Sequence, residues 1–141
     1  MSAFTQPDTT KNAVILCIED NHDNSLLVRR ILEAEGYRFV EARNARTALE
    51  LIAAYTPDLI LMDINMPDID GYTLTARLRS LPNTKNIPIL AVTANALKGD
   101  RERSLAAGCD AYIEKPIDVD RLPEQISQFL ALKRRTWAKQ T

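Results

Sequence analysis

Long apolar runs are missing from this sequence. No stretch approaches the length of a membrane span, and residues 1–11 lack the basic start and apolar centre of a secretory signal. A cytoplasmic location without membrane contact is therefore expected. Charge of one sign is missing too: 18 Lys and Arg stand against 19 Asp and Glu, for a formal net charge of −1. That balance gives no general electrostatic reason to bind nucleic acid or an anionic membrane. Cysteine is scarce. Cys17 falls in an apolar run and Cys109 in a loop, without metal-ligand spacing between them, so both are expected to be reduced, structural thiols. Repeats and low-complexity tracts are absent. A length of 141 residues suffices for one domain with a real core and is too short for two ordinary ones. Any output then has to pass through another molecule.

What the chain does have is alternation. Short apolar runs alternate with helical patterns, which argues for βα units and a parallel sheet. Strands are expected at 13–18, 38–42, 58–62, 88–92 and 111–114. The second is the weakest and is placed at an edge; the third is the most apolar and is placed centrally. Helices are expected at 24–35, closed by Gly36, and from Asn44 as N-cap to just before Pro57. Others are expected at 71–81, at 95–107 with Gly99 weakening the interior and Gly108 ending it, and from about Leu122 to about Lys133. The organisation is then a tail over 1–12, a folded domain over 13–132 and a basic tail over 133–141. The basic residues around Trp137 are too few to define a nucleic-acid site and read as a solvated, fraying helix end.

Three of the strands end in charge. Val14-Ile15-Leu16-Cys17-Ile18 runs into Glu19-Asp20, Leu59-Ile60-Leu61-Met62 into Asp63, and Ala111-Tyr112-Ile113 is soon followed by Lys115-Pro116. In an open parallel sheet the carboxyl ends of the strands share one edge, where ligands bind. Three carboxylates and one ammonium meet there. Crowded carboxylates repel unless a cation sits among them, and a hard, oxygen-coordinated ion such as Mg²⁺ suits the cluster. The edge reads as a phosphoryl-transfer site built around Asp63.

Ile18-Glu19-Asp20-Asn21, Leu61 to Pro67, Asp70-Gly71, Ala91-Val92-Thr93-Ala94, Ala107-Gly108, Tyr112 and Lys115-Pro116 together resemble the receiver domain of two-component response regulators. The resemblance spans about 14–132, and the motifs occur in order at receiver spacing. It implies a flavodoxin-like (CheY-like) α/β fold, doubly wound, with a five-stranded parallel sheet ordered 2-1-3-4-5 and helices on both faces. Cys17 and Cys109 would then belong to strands that are not neighbours. The resemblance further implies a phosphorylation switch that takes a phosphoryl group from a phosphohistidine and then hydrolyses it slowly. Such a protein is no enzyme towards other substrates.

Asp63 resembles the phosphoacceptor, Asp20 the metal-binding acid with Glu19 acting indirectly, and Asn65 the residue whose backbone carbonyl completes the metal site. Mg²⁺ is the implied cofactor, with Mn²⁺ as a substitute. Lys115 would pair with Asp63 and later with the phosphoryl group, across a Lys115–Pro116 bond expected to be cis. Thr93 resembles the switch hydroxyl, and the small Ala94 leaves the site open. Tyr112 resembles the aromatic that moves inward with Thr93, the competing reading being a half-buried strand tyrosine. Ile60, Met62, Val92 and Ile113 are expected in the core only. The implied partners are a histidine kinase or histidine phosphotransfer protein upstream and a protein effector downstream, read through the face of the fourth helix, fifth strand and last helix.

Two other readings compete. An aspartate-based phosphatase needs a second aspartate two residues after the nucleophile, where this chain has Asn65. Flavin binding conflicts with the acidic Glu19-Asp20 loop, which repels phosphate. A stand-alone regulator and a receiver excised from a hybrid kinase or phosphorelay both fit. His22, the one histidine, reads as a solvated loop residue near a donor docking site rather than a metal ligand. In the first helix Leu27, Val28, Ile31 and Leu32 form the expected inward stripe, leaving Leu26 outward as a docking anchor.

Overall fold

The computed structural model describes residues 12–67, 69–94 and 99–140, with the side chains of Asp100 and of 133–140 left out. Strand β1 (Val14–Ile18) leads into helix α1 (His22–Ala34), β2 (Arg38–Ala42) into α2 (Ala45–Ala54), and β3 (Leu59–Asp63) into α3 (Gly71–Ser80). Strand β4 (Ile89–Thr93) leads into α4 (Asp100–Ala107), and β5 (Ala111–Glu114) into α5 (Arg121–Gln140). All pairings are parallel and the order is β2-β1-β3-β4-β5. This is the flavodoxin-like architecture, with β2 at an edge and β3 in the middle.

Residue alternation along the strands divides the core into two layers. Leu16, Ile18, Ile60, Met62, Ile89 and Ala91 face α2 and α3, where Ala48, Ile52, Leu74 and Leu78 are buried against them. Ile15, Cys17, Leu59, Leu61, Leu90, Val92 and Ile113 face α1 and α5, meeting Val28, Leu32, Leu122 and Ile126. Strands β3 and β4 are buried throughout because helices cover both of their faces. The two cysteines are buried and unpaired with each other, in agreement with their distant strands.

Local chemistry sets the helix ends. Asn21 caps α1 by accepting from Asn24 N–H, Asn44 caps α2 by accepting from Thr47 N–H, and Asp70 caps α3 by accepting from Tyr72 N–H. Helix α1 closes as the glycine predicts: Tyr37 N–H reaches Leu32 O and Gly36 N–H reaches Glu33 O, both at 3.1 Å.

Four expectations need revision. The fourth helix begins at Asp100, so Gly99 is not an interior weakness: it precedes the helix at φ +81°, a conformation that glycine alone adopts freely. The expected start of that helix at 95–98 lies outside the described residues. Helix α5 continues to Gln140, well past Lys133, since nothing from Ala131 onward is a helix breaker. His22 is the first residue of α1 and not a loop residue.

The inward face of α1 is Ser25, Val28, Ile31 and Leu32; Leu27 is 40% exposed, whereas Leu26 is half-buried beside Phe39. A helical wheel orders residues around an axis but does not say which strand lies alongside. The outward leucine is therefore Leu27 and not Leu26.

Candidate functional site

Because every strand runs the same way, their carboxyl ends converge on one edge. Glu19 follows β1 directly, and its N–H bonds Ala42 O at 2.9 Å, tying the end of β2 beside it. The Glu19 side chain turns inward to 5% exposure, and its Oε2 accepts from Asn21 N–H at 3.3 Å. Asp20, one residue on, is exposed. Asp63 is the last residue of β3, 4% exposed, with Oδ1 accepting from Asn65 N–H at 2.9 Å. Oxygens of Glu19, Asp20 and Asp63 all lie within 4.8 Å of one another.

Lys115 reaches this cluster from the loop after β5. Its Nζ is 3.5 Å from Glu19 Oε1 and 3.5 Å from Asp63 Oδ2, and the Lys115–Pro116 peptide is cis. One ammonium thus faces two buried carboxylates and a third at the rim. Burial raises the Glu19 carboxyl to about 7; hydrogen bonding with Asp63 and the charge of Asp63 push the same way, while Lys115 and the Asn21 N–H oppose them. The carboxyl is thus kept from ionising first by its depth and then by its acidic neighbour Asp63. Burial also pushes the nearby Cys17 thiol far up, so it stays neutral and takes no part in the chemistry.

These residues fit a divalent cation. The donors are hard oxygens close enough to share one ion, and the exposed Asp20 leaves one side open for the waters that Mg²⁺ retains. Asn65 is exposed in the loop after Asp63. That loop is held by Gly71, whose missing side chain matters here: a Cβ would lie 2.7 Å from Ile64 Cα. Any other residue would push the start of α3 away from the loop that follows Asp63.

Thr93, the last residue of β4, is fully buried, and its carbonyl accepts from Lys115 N–H at 2.8 Å. Tyr112 on β5 lies opposite Ala91 and is half-buried, with the Arg101 guanidinium 5.6 Å from the centre of its ring. Ile60, Met62, Val92 and Ile113 are buried in the core. His22 does not join the acidic cluster: its Nδ1 lies 3.0 Å from Arg43 Nη2 on the surface. Two features escaped the sequence reading. Glu19 is as deep as Asp63 and shares its lysine, although its place before Asp20 suggested a supporting role. Arg101 belongs to no receiver motif, and no local signal points to it.

The response regulator receiver domain family matches residues 15–127 of the chain. The chain belongs to this family. Among its curated relatives, the polar-differentiation response regulator DivK of Brucella anthropi is 45% identical over 116 residues, covering 82% of this chain and 94% of that protein. The receiver domain of a sensor histidine kinase from Pseudomonas aeruginosa, solved with a magnesium ion coordinated in its active site cleft, is 35% identical. It superposes with a TM-score of 0.79 over 85% of this chain and 98% of that one. A CheY-like receiver domain protein from Methanospirillum hungatei is 31% identical, with a TM-score of 0.81 over 88% of this chain and 98% of that one. The molecule is therefore a receiver domain of two-component signalling, similar to DivK.

Proposed function

We propose that this receiver accepts a phosphoryl group from a phosphohistidine on Asp63, in a Mg²⁺-dependent reaction, and signals through protein contacts. One observation carries the reading: a buried aspartate ends the central strand with an ammonium 3.5 Å away and two further acids within 4.8 Å. Asp20, Asp63 and the Asn65 carbonyl would hold Mg²⁺, with Glu19 acting behind them. When bound, the ion offsets charge on the transferring group. Mn²⁺ has the same oxygen preference and would serve in its place.

In the reaction an Asp63 oxygen attacks phosphorus, the new O–P bond forms as the P–N bond to the donor imidazole breaks, and the imidazole, already protonated on its other ring nitrogen, takes the P–N electron pair and leaves neutral. Asn65 N–H orients one Asp63 oxygen, and Lys115 lies beside the other. Lys115 then pairs with the phosphoryl oxygens and Thr93 donates its hydroxyl to them, drawing Tyr112 inward. The upstream partner is a histidine kinase or histidine phosphotransfer protein. The downstream effector reads the α4–β5–α5 face. Among the described residues no helix is long and apolar enough to cross a membrane, and we place the reaction in the cytoplasm.

The likeness to DivK across nearly its full length supports a single-domain regulator. The likeness to a receiver of a sensor histidine kinase supports the alternative, a receiver from a hybrid kinase or a phosphorelay intermediate. Acetyl phosphate should label the protein and beryllofluoride should bind it in the presence of Mg²⁺. Asp63→Asn should abolish both, and labelling that persists in this variant would refute the assignment.

A further inference from the structure

Helix α4 is held unequally at its two ends. At the carboxyl end Gly108, at φ +114°, presents its carbonyl to Arg79 Nε at 2.8 Å, and Cys109 N–H returns to Ser104 O at 2.9 Å. A Cβ on Gly108 would lie 2.8 Å from Arg79 Cγ, so this end is packed tightly. The amino end has no side-chain cap, since Gly99 occupies the N-cap position. Among the described residues, two stacking contacts tie the helix to its neighbours. Arg103 lies over Tyr72 of α3 at 4.5 Å, and Arg101 lies over Tyr112 of β5 at 5.6 Å.

We infer that Arg101 is a restraint on switching: it holds the Tyr112 ring half-buried and α4 against β5 until the phosphoryl group is in place. The inference rests on the reading of Thr93 and Tyr112 as the switch pair and adds the residue that opposes them. The two arginines grip different neighbours. Arg103 ties α4 to another helix, whereas Arg101 ties it to the strand that carries Tyr112 and leads into Lys115. Of the two arginine contacts, only that of Arg101 involves the Tyr112 ring and would break when the ring moves. An exposed contact of this kind biases a two-state equilibrium by about two- to fivefold, enough to change a minor population visibly.

The chain has four tyrosines, so 3-fluorotyrosine labelling yields a fluorine spectrum in which the Tyr112 signal is identified by its loss in Tyr112→Phe. Wild type, Arg101→Gln, Arg101→Lys and Arg103→Gln are compared without metal and with Mg²⁺ plus beryllofluoride. Arg101→Gln should move the metal-free Tyr112 signal part of the way to its beryllofluoride position, raising the switched population about two- to fivefold. Acetyl phosphate labelling should quicken by a similar factor. Arg101→Lys should retain part of the restraint, and Arg103→Gln should leave Tyr112 in place.

A Tyr112 signal in Arg101→Gln that stays at its wild-type metal-free position overturns the inference, even if the melting temperature drops. So does an equal shift in Arg103→Gln, which would mean that any loosening of α4 suffices. A wild-type Tyr112 signal that ignores bound beryllofluoride overturns the switch reading itself, a failure distinct from the other two.

Discussion

The two ends of the sheet treat charge in opposite ways. At the amino end Arg79 donates to Gly108 O at 2.8 Å, Thr84 O at 3.3 Å, Lys85 O at 3.2 Å, Ile87 O at 2.6 Å and Asp110 Oδ2 at 2.6 Å. Asp110 Oδ2 also accepts from Ile89 N–H at 2.8 Å, and Asp58 Oδ2 accepts from Val14 N–H at 2.7 Å. At the carboxyl end, among the described residues, a single ammonium stands 3.5 Å from each of two buried carboxylates. At the first end the arginine and the acids are matched by donors and acceptors around them, whereas at the second the lysine is shared between two buried acids with a third close by. Charges satisfied internally hold the fold. Charges left in excess hold a place for a ligand, at a cost in stability.

The contrast makes opposite mutations informative. Arg79→Ala orphans several carbonyls and Asp110 together, so urea denaturation should show a loss of about 3 kcal/mol. Arg79→Lys should recover only part of it, because an ammonium cannot span the same fan of acceptors. A loss below about 1 kcal/mol would show that water replaces the clamp and that the two ends differ less than their geometry suggests.

The second test is pH dependence. The Glu19 carboxyl titrates near 7 in the folded chain against an ordinary value of 4.5. The proton is therefore bound more tightly by the folded state. Its contribution is full below about 4.5 and is lost as pH rises through about 7. In metal-free protein that loss should be on the order of 1–3 kcal/mol, read as the difference in melting between wild type and Glu19→Gln across this window. Excess Mg²⁺ should reverse the trend, stabilising the wild type more at high pH, where it no longer competes with the proton.

A smaller effect of opposite sign is expected at Asp63. Asp63→Asn removes one of the crowded charges, so without metal it should stabilise the fold by about 1 kcal/mol while ending phosphoryl labelling. Destabilisation by a similar amount would mean that Lys115 compensates Asp63 more fully than its 3.5 Å separation implies. The smallest change in stability belongs to Leu27→Asp, within about 0.5 kcal/mol, since the leucine is already outside the core. If a phosphohistidine protein docks on α1, that variant should slow transfer from it and leave acetyl phosphate labelling unchanged.

Periodicity and punctuation were enough to order the elements: Asn44 and Gly36 mark helix ends because they act on backbone groups within a few residues, and alternating apolar runs report burial on one or both faces. The acids and the lysine of the site were legible for a similar reason, since each sits where an apolar run stops. Gly99 misled because its place before or inside a helix depends on whether the backbone crosses to positive φ there. Leu26 and Leu27 misled because their exposure depends on which strand lies beside α1.

The sequence by itself thus determined the kinds and order of the elements, the central and edge strands, and the acidic edge around Asp63, all of which follow from contacts a few residues long. Only the tertiary structure decided that Glu19 lies as deep as Asp63, that Arg79 bolts two loops together and that Arg101 rests on Tyr112. Each of those depends on groups far apart in the chain. Whether a charge is satisfied or left in excess is a property of what faces it across the gap, and no local pattern records that.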